Sequence, residues 1–379
     1  MRYCTRCVQC STRPDLAFDA EGVCSACRTH EAKPAVDWAA RHREFAAILD
    51  RYRRSDSWDC VVAASGGKDS VAQVIRVLEH GMHPLVVTWA PDDPSDLGLR
   101  NVAMMRRLGV DHIYVTPNVR VRARLNRLAL ETVGDWAWPD HLGIFSAPVA
   151  AAVAHNIPLI IYGENPQSEM GGPAGSADSP NITRAWLAEF GGLLGMRLDD
   201  VPALCPEIQP HQLAAYRYPS DADMARVGVT GIFLGHYLGW DGQQHATIAQ
   251  AHGWESFPHA CEGSLVNWEN LDNCQCGGRD YFMYLKYGFG RATTQASLLI
   301  RRGRLTRTDA ARLVVEREGH WPATYLGKPL ADILAPLDLT VDDFRRIADK
   351  FTNRDLFELD GFGELRHNPD GSPVRRFRP

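Results

Sequence analysis

The sequence predicts an α/β protein with a doubly wound, mostly parallel sheet, a small metal-binding segment before it and helices after it. Three observations predict this. Apolar strand-like runs alternate with helical periodicity between residues 38 and 162, a glycine-rich turn follows the first such run, and two C-x-x-C pairs crowd the amino-terminal end. The expected division is 1–35 for the cysteine segment, 36–300 for the α/β core with substrate-binding insertions, and 301–379 for a helical C-terminal region.

The cysteine segment comes first. Cys4-Thr5-Arg6-Cys7 and Cys24-Ser25-Ala26-Cys27 each place two thiolates on one turn, and the intervening residues 8–23 let the pairs converge tetrahedrally on Zn2+. So short a segment cannot build a core of its own. Four sulfur ligands leave no open position for water or substrate, so the expected zinc is structural. Cys10 is a fifth thiol, either a bystander or the mark of an iron–sulfur site.

Residues 38–52 are a helix by the spacing of Phe45, Ile48, Leu49 and Tyr52. Cys60 to Ala64 reads as a buried strand, and residues 70–80 as a helix. Strands are expected at 84–89, 112–116 and 159–162, with helices at 97–108 (closed by Gly109), 120–134 and 146–155. Residues 170–180 turn to Gly, Pro, Ala and Ser and read as a mobile loop; 231–235 is a further short strand. Helices are expected at 306–318, opening with Thr308-Asp309, and at 340–350, capped at Thr340. In a doubly wound sheet ligands bind beyond the carboxyl ends of the strands. Residues 65–70, Trp89 and Gly163-Glu164-Asn165 all fall at such ends and are expected to face one crevice.

Between the first strand and its helix stands Ser65-Gly66-Gly67-Lys68-Asp69-Ser70. Two glycines let the backbone approach an anion, and the helix aims free N–H groups and its positive dipole end at it. Ser65 and Ser70 add hydroxyl donors and Lys68 a cation. The Walker loop needs four residues between its first Gly and its Gly-Lys pair, which this spacing lacks. It resembles instead the PP-loop of the ATP pyrophosphatase superfamily, whose members cleave ATP between the α- and β-phosphates.

Composition fits a soluble enzyme. Of 379 residues, 45% are hydrophobic and 23% charged, enough for a large core. A formal net charge of -5 argues against a protein that coats nucleic acid. No membrane-spanning run and no signal-peptide pattern are seen, so a cytoplasmic location is expected and the ten cysteines read as thiols or metal ligands.

A longer set of motifs resembles one family. Cys4-x-x-Cys7-Val8, Thr12-Arg13-Pro14, Phe18-Asp19, Gly22-Val23-Cys24 and the loop at 65–70 are followed by Tyr162-Gly163-Glu164-Asn165-Pro166-Gln167, Gly235-His236-Tyr237 with Trp240-Asp241, Glu269-Asn270-Leu271-Asp272, and Tyr284 to Thr293. In this order they resemble the N-acetyl sugar amidotransferases, bacterial surface-glycan enzymes that convert an acetamido group to an acetamidino group. Gln9-Cys10 and Cys274-Gln275-Cys276 depart from the pattern. The resemblance implies a PP-loop ATP pyrophosphatase fold, ATP and Mg2+, an N-acetylated sugar or nucleotide-linked sugar as acceptor, and ammonia from a separate glutaminase.

The loop residues Ser65, Gly66, Gly67, Lys68 and Ser70 suit pyrophosphate. Asp69 orients the loop, holds Mg2+ or merely opens the helix. Trp89 either stacks on adenine or fills the sheet edge, and Gly163 lies at the same nucleotide crevice. Glu164 and Asn165 sit past a strand end as substrate or ATP contacts. His236, with Tyr237, is either a substrate contact or structural. The resemblance makes Lys286 and Arg291 phosphate or adenylate contacts; Glu169 and Glu262 are weaker candidates. Two competing readings are sulfur transfer through the same adenylation, with Cys10, Cys274 and Cys276 as thiol sources, and a zinc-stabilised binding module without catalysis.

Overall fold

Runs of β-branched and aromatic residues become the central strands. The computed structural model describes residues 1–172, the backbone of 181–182, and 191–379. Its sheet comprises β1 (Cys60–Ala63), β2 (Pro84–Trp89), β3 (Asp111–Val115), β4 (Leu159–Tyr162), β5 (Asn181–Ile182) and β6 (Thr230–Phe233). The order is β3-β2-β1-β4-β6-β5. The first five of these are parallel, and β5 pairs antiparallel with β6 at the edge. Strand order reverses between β1 and β4, so a crevice opens at their carboxyl ends.

Successive strand residues point to opposite faces. Val62, Val86, Ile161 and Ile232 pack with Phe45 and Leu49 of the helix Trp38–Tyr52 and with Val71, Val74 and Ile75 of the helix Lys68–Glu79. On the other face Val61, Leu85, Val87 and Ile160 meet Leu125 of Val119–Val133 and Val149 of Trp138–Ala154. A third core joins Leu130 and Trp136 to Tyr281, Phe282, Tyr325 and Phe344. The cysteine segment is seated by Val8 against Ala292, Ala296, Ala310 and Val314. Among the described residues, no helix is long and apolar enough to cross a membrane.

The helix expected from 146 begins at Trp138, because Pro139 suits the first turn and Pro148 is accommodated inside it. The helix at 97–108 splits into Asp96–Met104 and a 3-10 turn, Met105–Leu108, before Gly109. The later helix is Arg307–Arg317, and its cap is Thr306, accepting from Asp309 N, in place of the Thr308-Asp309 opening. Thr340 and Asp343 form a reciprocal capping box on Val341–Phe351. Met170 closes the short helix Pro166–Met170, and most of the loop expected at 170–180 lies outside the described residues.

Candidate active site and four-cysteine centre

β1 delivers the chain into Ser65-Gly66-Gly67. Gly66 takes a φ of +86°, and a Cβ there would come within 2.4 Å of a Val102 methyl carbon, so both backbone and space demand glycine. Ser70 Oγ accepts from Gly66 N at 3.0 Å and donates to Gly67 O at 2.9 Å. Ser65 Oγ accepts from Gly67 N at 3.3 Å, and Trp254 Nε1 donates to Gly66 O at 2.9 Å. The loop is thus held in shape before any ligand arrives, with the N-terminus of a twelve-residue helix behind it.

Three cavities meet at this loop. One, of about 320 Å³, is a mainly apolar slot between Ala63, Ala64, Trp89, Phe145, Tyr162, Gly163 and Trp240. A second, of about 240 Å³, runs along residues 65–70 to Glu269, Asp272, Arg291 and Thr294. The third holds about 30 Å³, room for a water or two, beside Glu169, Trp240, Arg302 and Arg304. Asp69 and Glu164 line all three.

Their electrostatics diverge. Lys68 Nζ donates to Asp69 Oδ2 at 2.6 Å, lies 3.4 Å from Glu269 Oε1 and stands 4.7 Å above the Trp268 ring. Burial pulls the Lys68 ammonium down, but Glu269 and Asp69 outweigh it and hold its pKa above the ordinary value. Burial pushes Asp69 up; Lys68 and the His245 ring, 2.7 Å from Oδ1, outweigh that and hold its carboxyl at about 2. Glu164 is raised to about 7 by burial and by the neighbouring Asp69 and Glu169 carboxylates. Glu269 accepts from Gln295 Nε2 at 2.8 Å, which fixes its orientation.

Trp89 lines the slot, buried, with Nε1 3.3 Å from Asp140; a Cβ on Gly143 would meet its ring at 2.0 Å, so that glycine makes room for it. Arg291 lines the second cavity while its Nη2 and Nε reach Asp280 at 3.2 and 3.3 Å. Asn165 is buried and caps Pro166–Met170 by accepting from Gln167 N at 3.0 Å. Glu169 lines the third cavity and pairs with Lys33 and Arg302.

Other sequence candidates stand apart from these cavities. The turn after β6 carries Tyr237 into the core, where it stacks on Phe45 with ring centroids 5.6 Å apart. His236 is edge-on to Tyr237, and its carbonyl accepts from Arg41. Lys286 Nζ donates to Val133 O at 3.1 Å, a helix-to-helix tie. Glu262 lies by Thr324 and Leu326, in a separate C-terminal cavity. His245, Trp268 and Gln295 received no role from the sequence. They come from the helices Gly242–Ala251 and Arg291–Arg301 and the segment between them, and only tertiary packing brings His245 to Asp69, Trp268 to Lys68 and Gln295 to Glu269.

The second centre is complete in itself. The Sγ atoms of Cys4, Cys7, Cys24 and Cys27 all lie within 4.8 Å of one another, and all four residues are buried. Cys4–Cys27 and Cys7–Cys24 are 3.9 and 3.7 Å apart. Tetrahedral zinc with its usual Zn–S bonds would set its sulfurs about 3.8 Å apart. The amides of Arg6, Cys7 and Cys24 donate to Cys4 Sγ, and that of Gln9 to Cys7 Sγ, contacts that favour the thiolate form. The donor set fits zinc. Cys10 is outside it, its Sγ 3.0 Å from Thr12 Oγ1.

Residues 263–366 match the family described as "LPS biosynthesis protein WbpG-like, C-terminal domain". No curated protein matches the chain. Among solved structures, the NMN synthetase from Francisella tularensis is similar at 14% identity, with a TM-score of 0.27, covering 57% of this chain and 87% of that one. The doubly wound fold is read from the strand order itself. Over residues 263–366, which carry Glu269, Asp272 and Arg291, the chain is similar to the WbpG-like LPS biosynthesis proteins, and this fits the N-acetyl sugar amidotransferase family that its motifs resemble.

Proposed function

We propose that this protein is an ATP-dependent amidotransferase that converts the acetamido group of an N-acetylated, nucleotide-linked sugar to an acetamidino group. The observation that carries the reading is the meeting of an apolar slot, a phosphate-binding loop and a polar cavity at Asp69 and Glu164. The slot suits adenine beside Trp89 and Tyr162. The loop suits the β- and γ-phosphates, with Lys68 neutralising charge on the leaving pyrophosphate. The α-phosphorus then falls at the junction, within reach of an acceptor in the polar cavity. Asp69, ionised and with 35% of its side chain exposed, would hold Mg2+, which supplies charge neutralisation when bound.

An amide carbonyl resists ammonia. Its oxygen attacks the α-phosphorus, the bond to pyrophosphate breaks, and an O-adenylyl imidate forms. Ammonia adds to the imidate carbon and gives up a proton, and the C–O bond to AMP breaks, leaving an amidinium. Glu164, raised to about 7, is suited to take that proton at neutral pH. A separate glutaminase would deliver the ammonia, and the zinc would serve structure alone.

The thiols weigh against sulfur transfer. Burial raises Cys10, Cys274 (to about 11) and Cys276, which disfavours the thiolate, and none of the three lines the cavities at the loop. The test uses an acceptor labelled with oxygen-18 in its acetamido group, ATP, Mg2+ and high ammonium at mildly alkaline pH. The expected products are an amidine about one mass unit lighter than the unlabelled acceptor and AMP carrying the label. Amidine with unlabelled AMP would reject adenylation at that oxygen. A thioamide formed only with a sulfur donor would reject amidotransfer.

A further inference from the structure

The loop between the two C-x-x-C pairs does more than close the metal centre, for it packs Arg13 against Thr294 and Met170, two residues that line the active-site cavity. Arg13 Nη1 lies 3.5 Å from Thr294 Oγ1, Nη2 lies 3.2 Å from Met170 Sδ, and the guanidinium stands 5.4 Å over the Phe289 ring. Thr294 and Met170 are themselves walls of the cavity that runs along residues 65–70. A hydroxyl, a thioether and a ring orient a cation without neutralising it.

Among the described residues, no carboxylate pairs with Arg13. None pairs with Arg301 either, whose Nη2 donates to the Glu169 carbonyl at 2.8 Å. The neighbouring arginines differ: Arg291 has Asp280, Arg302 has Glu169 and Asp241, and Arg304 has Asp241. Thr294, Leu298 and Arg301 recur at i, i+4 and i+7 on one stripe of the helix Arg291–Arg301, and the first two line the cavity. Burial, then repulsion from Arg301 and Arg291, lowers Arg13 to about 10. Two guanidinium groups that no carboxylate among the described residues pairs make a receptor for an anion, and the fork geometry of arginine matches phosphate oxygens in pairs.

We propose that Arg13, assisted by Arg301, binds the diphosphate of the acceptor, making the zinc-bearing segment part of acceptor recognition. ATP has its own phosphate donors in residues 65–70 and Lys68, on the wall formed after β1. Arg13 comes from the cysteine segment and packs behind Met170 and Thr294 on the opposite side. Only the identification of the anion with the acceptor rests on the amidotransfer reading.

Calorimetry on the full-length, zinc-loaded protein tests this with two probes, UDP and α,β-methylene-ATP. Arg13→Gln should weaken UDP binding about tenfold or more, with α,β-methylene-ATP affinity, zinc content and Tm unchanged. Arg301→Gln should weaken UDP less. Equal UDP affinity in wild type and Arg13→Gln, or no UDP binding by the wild type at millimolar concentration, overturns the proposal. If Arg13→Gln loses zinc, Arg13→Lys decides: it keeps the charge and loses the fork, and unchanged UDP affinity in it would reduce Arg13 to a strut. UDP binding that depends on Arg13, with no binding of α,β-methylene-ATP, would keep this inference and sink the ATP reading.

Discussion

The four-cysteine centre and the glycine-rich loop at residues 65–70 are both buried polar clusters, yet they are finished to different degrees. At the first, four sulfurs face only one another and the amides that donate to them, in a spacing that one tetrahedral ion would complete. At the second, Lys68 is balanced by Asp69 and Glu269, while three cavities still open onto Asp69 and Glu164. A closed set of ligands stabilises a fold and can do no more. A set whose charges balance across a gap can exchange one partner for a phosphate, which is what the proposed reaction would require. The two regions also touch the same helix, Arg291–Arg301: Val8 packs on its Ala292 and Ala296, and its Thr294 lines the cavity.

The comparison breaks most severely if Lys68 proves dispensable. Lys68→Ala should lower AMP formation from ATP by about a thousandfold, the scale of losing a principal charge-stabilising group. Turnover is measured by chromatography at saturating ATP and acceptor; wild-type rates would place the chemistry elsewhere. The next largest effect belongs to the other region. Cys24→Ser should lose zinc and about 3 kcal/mol or more of stability together, because metal binding in so small a unit is folding energy. Metal analysis and urea unfolding check it, and a wild type without zinc and with freely reactive thiols would remove the structural centre from the comparison.

The two regions also differ in how far the sequence discloses them. The cysteine centre is legible because its ligands are paired by short spacing, and C-x-x-C puts two thiolates on one turn whatever surrounds it. The strands 84–89 and 159–162 and the helix 38–52 are legible for a similar reason, since their periodicity is local. Residues 65–70, Trp89 and Glu164 could be placed at one crevice because strand ends in a parallel sheet share an edge. His245, Trp268 and Gln295 carry no such signal: His245 and Trp268 reach Asp69 and Lys68 from roughly two hundred positions away along the chain, and Gln295 reaches Glu269 from a different element 26 positions on. Lys286 shows the converse, a basic residue in a family-like motif whose side chain the fold spends on the Val133 carbonyl. Arg13 lies within a legible motif, but its unneutralised charge appears only once its neighbours are known.

The finest test concerns the two carboxylates at the junction, whose pKa values move in opposite directions. Glu164 is raised from its ordinary 4.5 to about 7, chiefly by burial. Its protonated form is the one the fold prefers, so its contribution to stability is full below pH 4.5 and is lost as pH rises through about 7. Asp69, held at about 2 against an ordinary 3.8, has the other sign: its contribution is present above pH 3.8 and lost as pH falls through about 2. Glutamine carries no charge to desolvate, so Glu164→Gln should be flat where the wild type declines. Between pH 4.5 and 7 the wild type should lose on the order of 1–3 kcal/mol relative to that variant. Urea midpoints across this range measure the difference. Parallel curves would mean that Glu164 ionises as it does in water, and the proton acceptor assigned to ammonia addition would then have to be sought among the other carboxylates of the cavity, Glu269 and Asp272.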